Sequence, residues 1–375
     1  MKFYTFRLPT KLVLGCGSIT RLAQEIKPYG KRVLLVTGRR AMKNTGILDR
    51  IYNILVKEGM KVSVFSGVEP EPHCETVDKG VEVAKRERSE VIVGLGGGSS
   101  IDVAKAIAGI AKEEVKAQAF LFKRKLESPG LAFVAIPTTS GTGAEVTPNA
   151  VLLDKKKLIK KSFRSRFLFA KVAVIDPELT LRCPAQVTAY AGTDALAQAI
   201  ESFVSLGSNP LTDSLSREAM RLIIRSLEKA YRKGKDLRAR EDMSYGSLLA
   251  GIALFNARMG AVHGLAHPLG ARYNLSHGLI CGLLLAAVME FNMDEAREKY
   301  GFVASLLGGK TAYQAPTYIR RLLKNLNFPH GLKDLGVKEN EFSLIATGSL
   351  SSGSLKANPK KVYKKDAILI LKRSF

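Results

Sequence analysis

The sequence contains no tryptophan, only five histidines and only four cysteines in 375 residues. The cysteines lie far apart and no C-x-x-C pair occurs, so the pattern predicts neither a disulfide framework nor a structural zinc cluster. We expect plain buried thiols at all four positions, which are Cys16, Cys74, Cys183 and Cys281.

Long hydrophobic runs are also missing. The longest, "LICGLLLAAVM" at 279–289, is too short to span a bilayer, for which about 20 apolar residues are needed. The amino-terminal stretch "MKFYTFRLPTKLVLG" has neither the apolar core nor the cleavage site of a secretory signal. We therefore expect a cytoplasmic protein with no membrane partner.

Acidic residues are few beside basic ones, since 58 Lys and Arg against 34 Asp and Glu give a net charge of +24. Such a charge attracts phosphates, acidic substrates and nucleic acid. Nucleic-acid binding is the alternative function from another class. The basic residues are scattered, however, without zinc-finger spacing, an RNP-like aromatic stretch or any tryptophan for stacking, so we expect no nucleic-acid partner.

The first half alternates β-branched runs with amphipathic segments such as 47–58 and 76–87, which predicts a mostly parallel, doubly wound α/β sheet. The predicted strands are 32–38, 61–67, 91–98, 131–139 and 171–177. After Pro184 the periodicity is helical. We place the boundary near 180–185, giving domains at 1–183 and 184–375, and take the cleft between them as the default site.

A glycine cluster follows one predicted strand in "VIVGLGGGSSIDVAKAIAGIA", residues 91–111. Glycines let backbone N–H groups approach a phosphate, and the next helix adds positive charge at its amino end. Ser99 or Ser100 is a candidate cap for that helix. Ser99 also stands where G-x-G-x-x-G requires its last glycine, so a tight strand-to-helix turn remains the alternative.

A second polar loop, "IPTTSGTGAEVTP" at 136–148, also follows a strand. It presents several hydroxyl groups at what should be the same carboxyl edge of the sheet. Two such loops on one edge favour a nucleotide site more than either loop does alone.

Three of the five histidines fall within "HGLAHPLGARYNLSH", from His263 to His277. His263 and His267 share a helix face at i and i+4. Gly264 stands where H-E-x-x-H needs its glutamate, which excludes that metalloprotease motif. A single histidine on an apolar helix is usually a core residue. Three at this spacing, with Asp194 in another helix, favour metal binding or catalysis.

In these residues the chain resembles the iron-containing, group III alcohol dehydrogenases. The resemblance spans nearly the whole length and rests on the segments "GGGSSIDVAKA", "IPTTSGTGAEVTP", "VIDPELT", "GTDALAQAIESFVS", "GLAHPLG" and "SHGLICGLLL". It implies an amino-terminal Rossmann-like domain that binds a nicotinamide dinucleotide. It also implies an all-α carboxy-terminal domain that holds one divalent metal, in a fold like that of dehydroquinate synthase.

The resemblance carries cofactor-binding roles to residues of the first domain. It assigns the glycine loop to the pyrophosphate, with Asp102 just inside the following helix, and it places the three threonines beside the cofactor. Lys160, or alternatively Lys161, then lies near the ribose of the nicotinamide half, and Leu179 lines that wall. The positions are Gly97, Gly98, Ser99, Asp102, Thr138, Thr139, Thr147, Lys160 and Leu179.

The metal ligands implied by the resemblance fall at Asp194, position 198, His263 and His277. His267 is then placed beside the nicotinamide and relays a proton, since an imidazole titrates near neutrality. Position 198 is most often histidine in the family, whereas this chain has Gln198. Gln198 is either a weak fourth ligand, an outer partner of the ligands, or the sign of a member that has lost tight metal binding. The metal, Fe²⁺ or Zn²⁺, stays open.

The loop after the strand 32–38 contains Gly38, Arg39 and Arg40 where an acidic residue would hold the ribose of NAD. An arginine there can pair with the 2′-phosphate of NADP, so we predict NADP(H) over NAD(H).

The predicted reaction is metal-dependent hydride transfer between this cofactor and a small alcohol or aldehyde. The stretch "LLAGIALFNARMGAVHG" at 248–264 suggests a small, mainly apolar pocket, although Asn256 and Arg258 are candidates to recognise a polar group. The alternative is a dehydrogenase of a polyol or a phosphorylated substrate. We also expect a homo-oligomer, in the simplest case a dimer.

Overall fold

The computed structural model describes residues 3–122, 124–155 and 159–375. The chain divides into two compact units. The α/β unit comprises Leu8–Thr139 and Gly143–Cys183, and the helical unit comprises Ser140–Thr142, Pro184–Phe375 and the described residues up to Arg7. The predicted domains, 1–183 and 184–375, differ from these units in the placement of residues 3–7 and 140–142.

The α/β unit is built on a six-stranded parallel sheet in the order β1-β8-β5-β4-β2-β3, and β6 and β7 form an antiparallel hairpin. The strands are β1 Lys11–Leu14, β2 Arg32–Gly38, β3 Lys61–Val68, β4 Val91–Gly96, β5 Ala132–Pro137, β6 Asn149–Asp154, β7 Ile159–Arg164 and β8 Val172–Ile175. The helices are α1 Leu22–Ile26, α2 Ala41–Asn44, α3 Ile47–Lys57, α4 Cys74–Arg86, α5 Gly98–Ile110 and α6 Ala117–Phe122.

Burial explains why the central strands read as continuous apolar runs. Every residue of β4 and β8 is buried, as are the interior positions of β2 and β5, because helices cover a parallel sheet on both faces. All five predicted strands are present, and the predicted α/β fold with helices following strands is confirmed. The sequence reading missed β1 and the hairpin of β6 and β7.

Every regular element described from Ala185 onward is a helix, as predicted. These helices are α7 Ala185–Val204, α8 Pro210–Arg232, α9 Leu237–Ala257, α10 Ala261–Tyr273, α11 His277–Phe291, α12 Arg297–Leu306, α13 Ala315–Asn325, α14 Phe342–Ser349 and α15 Lys364–Arg373. Most residues of α7 and α11 are buried, so polar groups on these two helices need partners inside the unit.

No single helix among the described residues is both long enough and apolar enough to cross a membrane. Helices α9 and α10 meet both criteria only when taken together, and they are bent by 102° at the break between them.

Candidate metal centre and nucleotide loops

Three helices of the helical unit bring together side chains of the types that bind metals. Helix α7 carries Asp194, and helix α10 carries His263 in its first turn. Helix α11 carries His277 and Cys281, which are four residues apart and therefore lie on one helix face. One donor atom from each of these four residues lies within 4.8 Å of the other three.

The distances within this cluster are those of a site built around a cation. Asp194 Oδ1 lies 3.4 Å from His263 Nε2 and 3.8 Å from His277 Nε2. Cys281 Sγ lies 3.6 Å from His277 Nε2. Bonds of about 2.0–2.3 Å at tetrahedral angles place ligand atoms roughly 3.3–3.6 Å apart. The 3.4 and 3.6 Å distances match this spacing and the 3.8 Å distance is slightly longer, so the donors lie at or near the spacing that one small divalent cation requires.

Unpartnered polar atoms provide a second test of whether a metal fits. Within the described part of the chain, Asp194 Oδ1, Gln198 Oε1 and His263 Nε2 are buried and accept or donate no hydrogen bond. An unsatisfied buried polar group costs on the order of 1–3 kcal/mol. Two of these atoms belong to the four-residue cluster, and a cation among the donors would satisfy them. The residues present thus fit a divalent metal.

Glu201 orients the imidazole of His263. It lies on α7, seven residues after Asp194 and so on the same helix face. Its Oε2 accepts a hydrogen bond of 2.6 Å from His263 Nδ1, and its Oε1 accepts one of 2.7 Å from the backbone N–H of Val262. In the tautomer that carries its proton on Nδ1 and donates it to Glu201, the lone pair of Nε2 is directed toward the cluster. The sequence reading missed Glu201.

Replacing this carboxylate tests its role as a partner of a metal ligand. We expect Glu201→Gln to weaken Zn²⁺ binding by about 10- to 100-fold, as loss of an outer-shell carboxylate commonly does. Competition titration with a coloured chelator measures the Kd. Glu295→Gln, at an exposed position of the same unit, is the matched control. An unchanged Kd in Glu201→Gln would show that His263 needs no such support.

The charges of the cluster favour a positive group. Burial by itself would lower the pKa of His263, but Cys281, Asp194 and Glu201 together raise it well above its usual value. Burial by itself would raise the pKa of Asp194, but His277 and His263 lower it. Burial raises the pKa of the Cys281 thiol to about 12. The site therefore stabilises positive charge, whether it is carried by an imidazolium or by a metal.

Gln198 contacts Asp194 through its amide nitrogen. Nε2 donates a hydrogen bond of 3.1 Å to Asp194 Oδ2, the carboxylate oxygen that does not face the histidines. The amide therefore fixes the orientation of the carboxylate, and both side chains are buried. This is the contact expected of an outer partner of the ligands.

The prediction of four plain buried thiols was wrong for Cys16, which is exposed, and for Cys183, which is only partly buried. Cys281 also differs from a plain buried thiol. It is fully buried, as expected, but its sulfur lies among the metal-binding donors. The signal in the sequence was its position one helical turn after His277, the same spacing that links Asp194 and Gln198.

His267 lies beside the cluster and is partly exposed. Its ring centroid is 5.5 Å from that of His277, whereas those of His263 and His277 are 5.3 Å apart. His267 is not among the four residues whose donor atoms converge.

The predicted cofactor loops meet at one edge of the sheet in the α/β unit. Strands β4 and β5 are parallel and pair Gly96 with Pro137, so the segments after them begin side by side. The N–H of Thr138 donates to the carbonyl of Gly96 at 2.9 Å. A Cβ at Gly97 would lie 3.3 Å from Thr139 Oγ1, and one at Gly38 would lie 3.8 Å from Ser100 Oγ. Loops after three neighbouring strands therefore converge, as predicted for two of them.

The prediction that Ser99 or Ser100 caps helix α5 was wrong. The helix begins at Gly98, and its N-cap Gly97 makes no side-chain capping bond. The Ser99 hydroxyl instead donates to the carbonyl of Pro70. Gly96 has a φ of +139°, and a Cβ there would lie 2.9 Å from Ser100 Oγ, so glycine is required at this turn.

Asp102 is tied to the rest of the α/β unit. Its Oδ2 accepts a hydrogen bond of 2.9 Å from the N–H of Val151 in β6, and its Oδ1 lies 3.6 Å from Lys105 Nζ. Lys105 is fully buried and also donates to the carbonyls of Ala144 and Asn149, both at 2.7 Å. Asp102 thus joins the glycine loop to the hairpin.

The remaining predicted cofactor residues lie in different surroundings. Thr147 Oγ1 donates to the carbonyl of Ala144 at 3.4 Å, and Leu179 packs in the core of the sheet. Lys160 Nζ is 2.6 Å from Glu71 Oε2. Arg39 is exposed and has no ion-pair or hydrogen-bond partner in the described ranges of the chain. Of these groups, only Arg39 presents an unengaged positive charge.

Comparison with known proteins identifies relatives that cover the whole chain. Residues 9–177 match the family profile "Iron-containing alcohol dehydrogenase", and residues 188–375 match "Fe-containing alcohol dehydrogenase family, C-terminal". The NAD-dependent methanol dehydrogenase of Bacillus methanolicus is 33% identical, covering 98% of this chain and 99% of its own. The NADPH-dependent butanol dehydrogenase of Clostridium saccharobutylicum is 36% identical, and the match covers 96% of this chain and 95% of that protein. A crystal structure of 1,3-propanediol oxidoreductase, 35% identical, superposes with a TM-score of 0.95 over 100% of both chains.

Proposed function

Because the chain belongs to the iron-containing alcohol dehydrogenase family, we propose that it interconverts a small alcohol and its aldehyde with NADP(H) at a metal held by Asp194, His263 and His277. The enzyme class, an NAD(P)-dependent alcohol dehydrogenase, follows from the family. The observation that carries the metal assignment is the pair of unpartnered buried atoms, Asp194 Oδ1 and His263 Nε2, facing each other at 3.4 Å.

Different side chains of the proposed site bind the metal and transfer the proton. When bound, a divalent metal supplies Lewis acidity that lowers the pKa of an alcohol or polarises an aldehyde, and the nicotinamide accepts or donates the hydride. Asp194, His263 and His277 would hold the metal. Glu201 keeps the Nε2 lone pair of His263 directed into the site. His267, partly exposed and beside His277, moves the proton.

The cofactor-binding residues proposed from the family are Gly38, Arg39, Gly97, Gly98, Ser99, Asp102, Thr138, Thr139, Thr147, Lys160 and Leu179. The convergence of their loops at one sheet edge supports this assignment, because open α/β sheets bind nucleotides beyond the carboxyl ends of their strands. Relatives differ in cofactor, since the two dehydrogenases above are named as NAD-dependent and NADPH-dependent. The exposed guanidinium of Arg39 favours NADP(H).

Removing this guanidinium tests the cofactor preference. We expect the wild-type enzyme to prefer NADPH, and Arg39→Ala to lower kcat/KM for NADPH by about 10- to 100-fold, since a charged hydrogen bond is worth about 1.5–3 kcal/mol. The value for NADH should change little, because NADH has no 2′-phosphate. Steady-state kinetics with both cofactors under identical conditions measure the change.

Arg40→Ala is the matched control, one residue further along the same exposed loop. An equal loss in Arg40→Ala would move the phosphate contact away from Arg39. A wild-type enzyme that prefers NADH would overturn the NADP(H) proposal.

The substrate we propose is a short primary alcohol or aldehyde. Asn256, one of two candidates to recognise a polar group, is already engaged, because its amide exchanges hydrogen bonds with the backbone of Arg7 and donates to the carbonyl of Ile252. Arg258 is exposed. The engagement of Asn256 leaves less support for a polyol or phosphorylated substrate, whose oxidation is the alternative.

Location and assembly complete the proposal. We propose a cytoplasmic homodimer that binds no nucleic acid, and no relative named above is a nucleic-acid-binding protein.

Anaerobic purification without chelators or an affinity tag, followed by elemental analysis and an aldehyde reduction assay, tests the function as a whole. One equivalent of Fe or Zn with NADPH-dependent turnover is expected, and absence of both would overturn it.

A further inference from the structure

We propose that the thiolate of Cys281 is the fourth ligand of the metal, and that Gln198 is not a ligand but the residue that positions Asp194. The inference rests on the proposed metal site and adds to it. The resulting donor set is one carboxylate oxygen, two imidazole nitrogens and one sulfur, supplied by Asp194, His263, His277 and Cys281.

The position of Cys281 on helix α11 gives the first argument. It follows His277 by four residues, so the helix presents the imidazole and the sulfur on the same face, one turn apart. The sulfur is 3.6 Å from His277 Nε2, within the roughly 3.3–3.6 Å expected of an N and an S ligand on one tetrahedral metal. It also belongs to the set of four donors that lie within 4.8 Å of one another.

The contact of Gln198 gives the second argument. Its amide nitrogen donates to Asp194 Oδ2, while the other oxygen, Oδ1, is the one near the two histidine nitrogens. The amide is therefore used to orient the carboxylate. A neutral amide oxygen is also a weaker ligand for a transition metal than a thiolate, so of the two side chains the cysteine is the better donor.

The proposed donor set has a consequence for the choice of metal. Soft thiolate ligands favour zinc over harder divalent ions, and imidazole is also a suitable ligand for zinc. We infer that this chain prefers Zn²⁺ to Fe²⁺. Four protein ligands leave room for a substrate oxygen, because zinc sites can expand to five-coordinate.

Cobalt substitution tests the sulfur ligand without any measurement of activity. Co²⁺ bound to a thiolate shows an intense charge-transfer absorption in the near ultraviolet, and Co²⁺ bound only to oxygen and nitrogen does not. We expect the wild-type protein, reconstituted with one equivalent of Co²⁺, to show this band. Cys281→Ser and Cys281→Ala should lose it, and Gln198→Ala should keep it.

Cys74→Ser provides the matched control, because Cys74 is a buried thiol of the α/β unit. That variant should keep the band. Competition titration with Zn²⁺ should show a weaker affinity in Cys281→Ser, by more than the roughly 10- to 100-fold that loss of an outer partner causes. Gln198→Ala should lose no more than that range.

Each contrary outcome has a distinct meaning. A wild-type protein that shows the visible absorption bands of bound Co²⁺ but no charge-transfer band would overturn the thiolate proposal and leave the proposed metal site intact. Loss of affinity in Gln198→Ala but not in Cys281→Ser would do the same and identify the amide oxygen as the ligand. Failure of the wild-type protein to bind Co²⁺ or Zn²⁺ at all would overturn the proposed metal site together with the thiolate.

Discussion

The variant His263→Ala is expected to lose its bound metal and, with the metal, nearly all dehydrogenase activity. His263 Nε2 is buried, unpartnered and 3.4 Å from Asp194 Oδ1, and no other side chain can replace it in the first turn of α10. Lewis-acid stabilisation is worth several kcal/mol, so we expect kcat/KM to fall by at least about a thousandfold. Elemental analysis and steady-state kinetics on the same preparation measure both effects.

The matched control for this variant is His330→Ala, since His330 is an exposed histidine of the same helical unit. It should retain one equivalent of metal and normal turnover. A preparation of His263→Ala that keeps one equivalent of metal would show that this imidazole is not a ligand.

The second large effect is expected in His267→Ala, which should keep its metal but turn over slowly. His267 is one helical turn from His263 but lies outside the group of converging donors. Loss of a general acid or base commonly lowers turnover by about 10²- to 10⁴-fold. We expect kcat to fall by that amount, with KM little changed.

The pH dependence of His267→Ala separates a proton-transfer role from a structural one. A proton relay makes kcat depend on pH, and the limb of the pH profile that belongs to this relay should disappear in the variant. Added imidazole should restore part of the rate. Metal loss equal to that of His263→Ala would refute the division of roles between the two histidines.

Five of the six strands of the sheet could be predicted because buried parallel strands read as continuous apolar runs, whereas the short edge strand β1 was missed. The convergence of the loops after β4 and β5 could be predicted because the carboxyl ends of parallel strands lie at one edge of a sheet. The hairpin was not predictable in the same way. In its strand β6, Asn149–Asp154, burial alternates from residue to residue, but the sequence NAVLLD does not alternate between polar and apolar residues. Its strand β7, Ile159–Arg164, is rich in basic residues and resembles a solvated loop. The sequence does not show that Lys160 in β7 would find a carboxylate in Glu71.

The side chains of the proposed metal site were partly predictable. Three histidines in fifteen residues stand out because histidine is otherwise scarce, and the family resemblance supplied Asp194. Glu201 gave no comparable signal, because a glutamate in an apolar helix is indistinguishable from an isolated residue until the neighbouring helix is placed. Cys281 gave only a weak one, its position one helical turn after His277. Which oxygen of Asp194 faces the histidines, and which atom of Gln198 it contacts, depends on packing alone.

The unpartnered atoms of the metal centre also bear on how the helical unit folds. An ion that binds only the native chain shifts the folding equilibrium by mass action, and the gain grows with the logarithm of its concentration relative to the Kd. Burial of Asp194 Oδ1 and His263 Nε2 without partners destabilises the native chain, and binding of the ion to these atoms would offset that free-energy cost. If the proposed site binds its metal, the resistance of the protein to heat depends on the concentration of that ion as well as on the apolar core, and stability should fall at ion concentrations that still keep the site occupied.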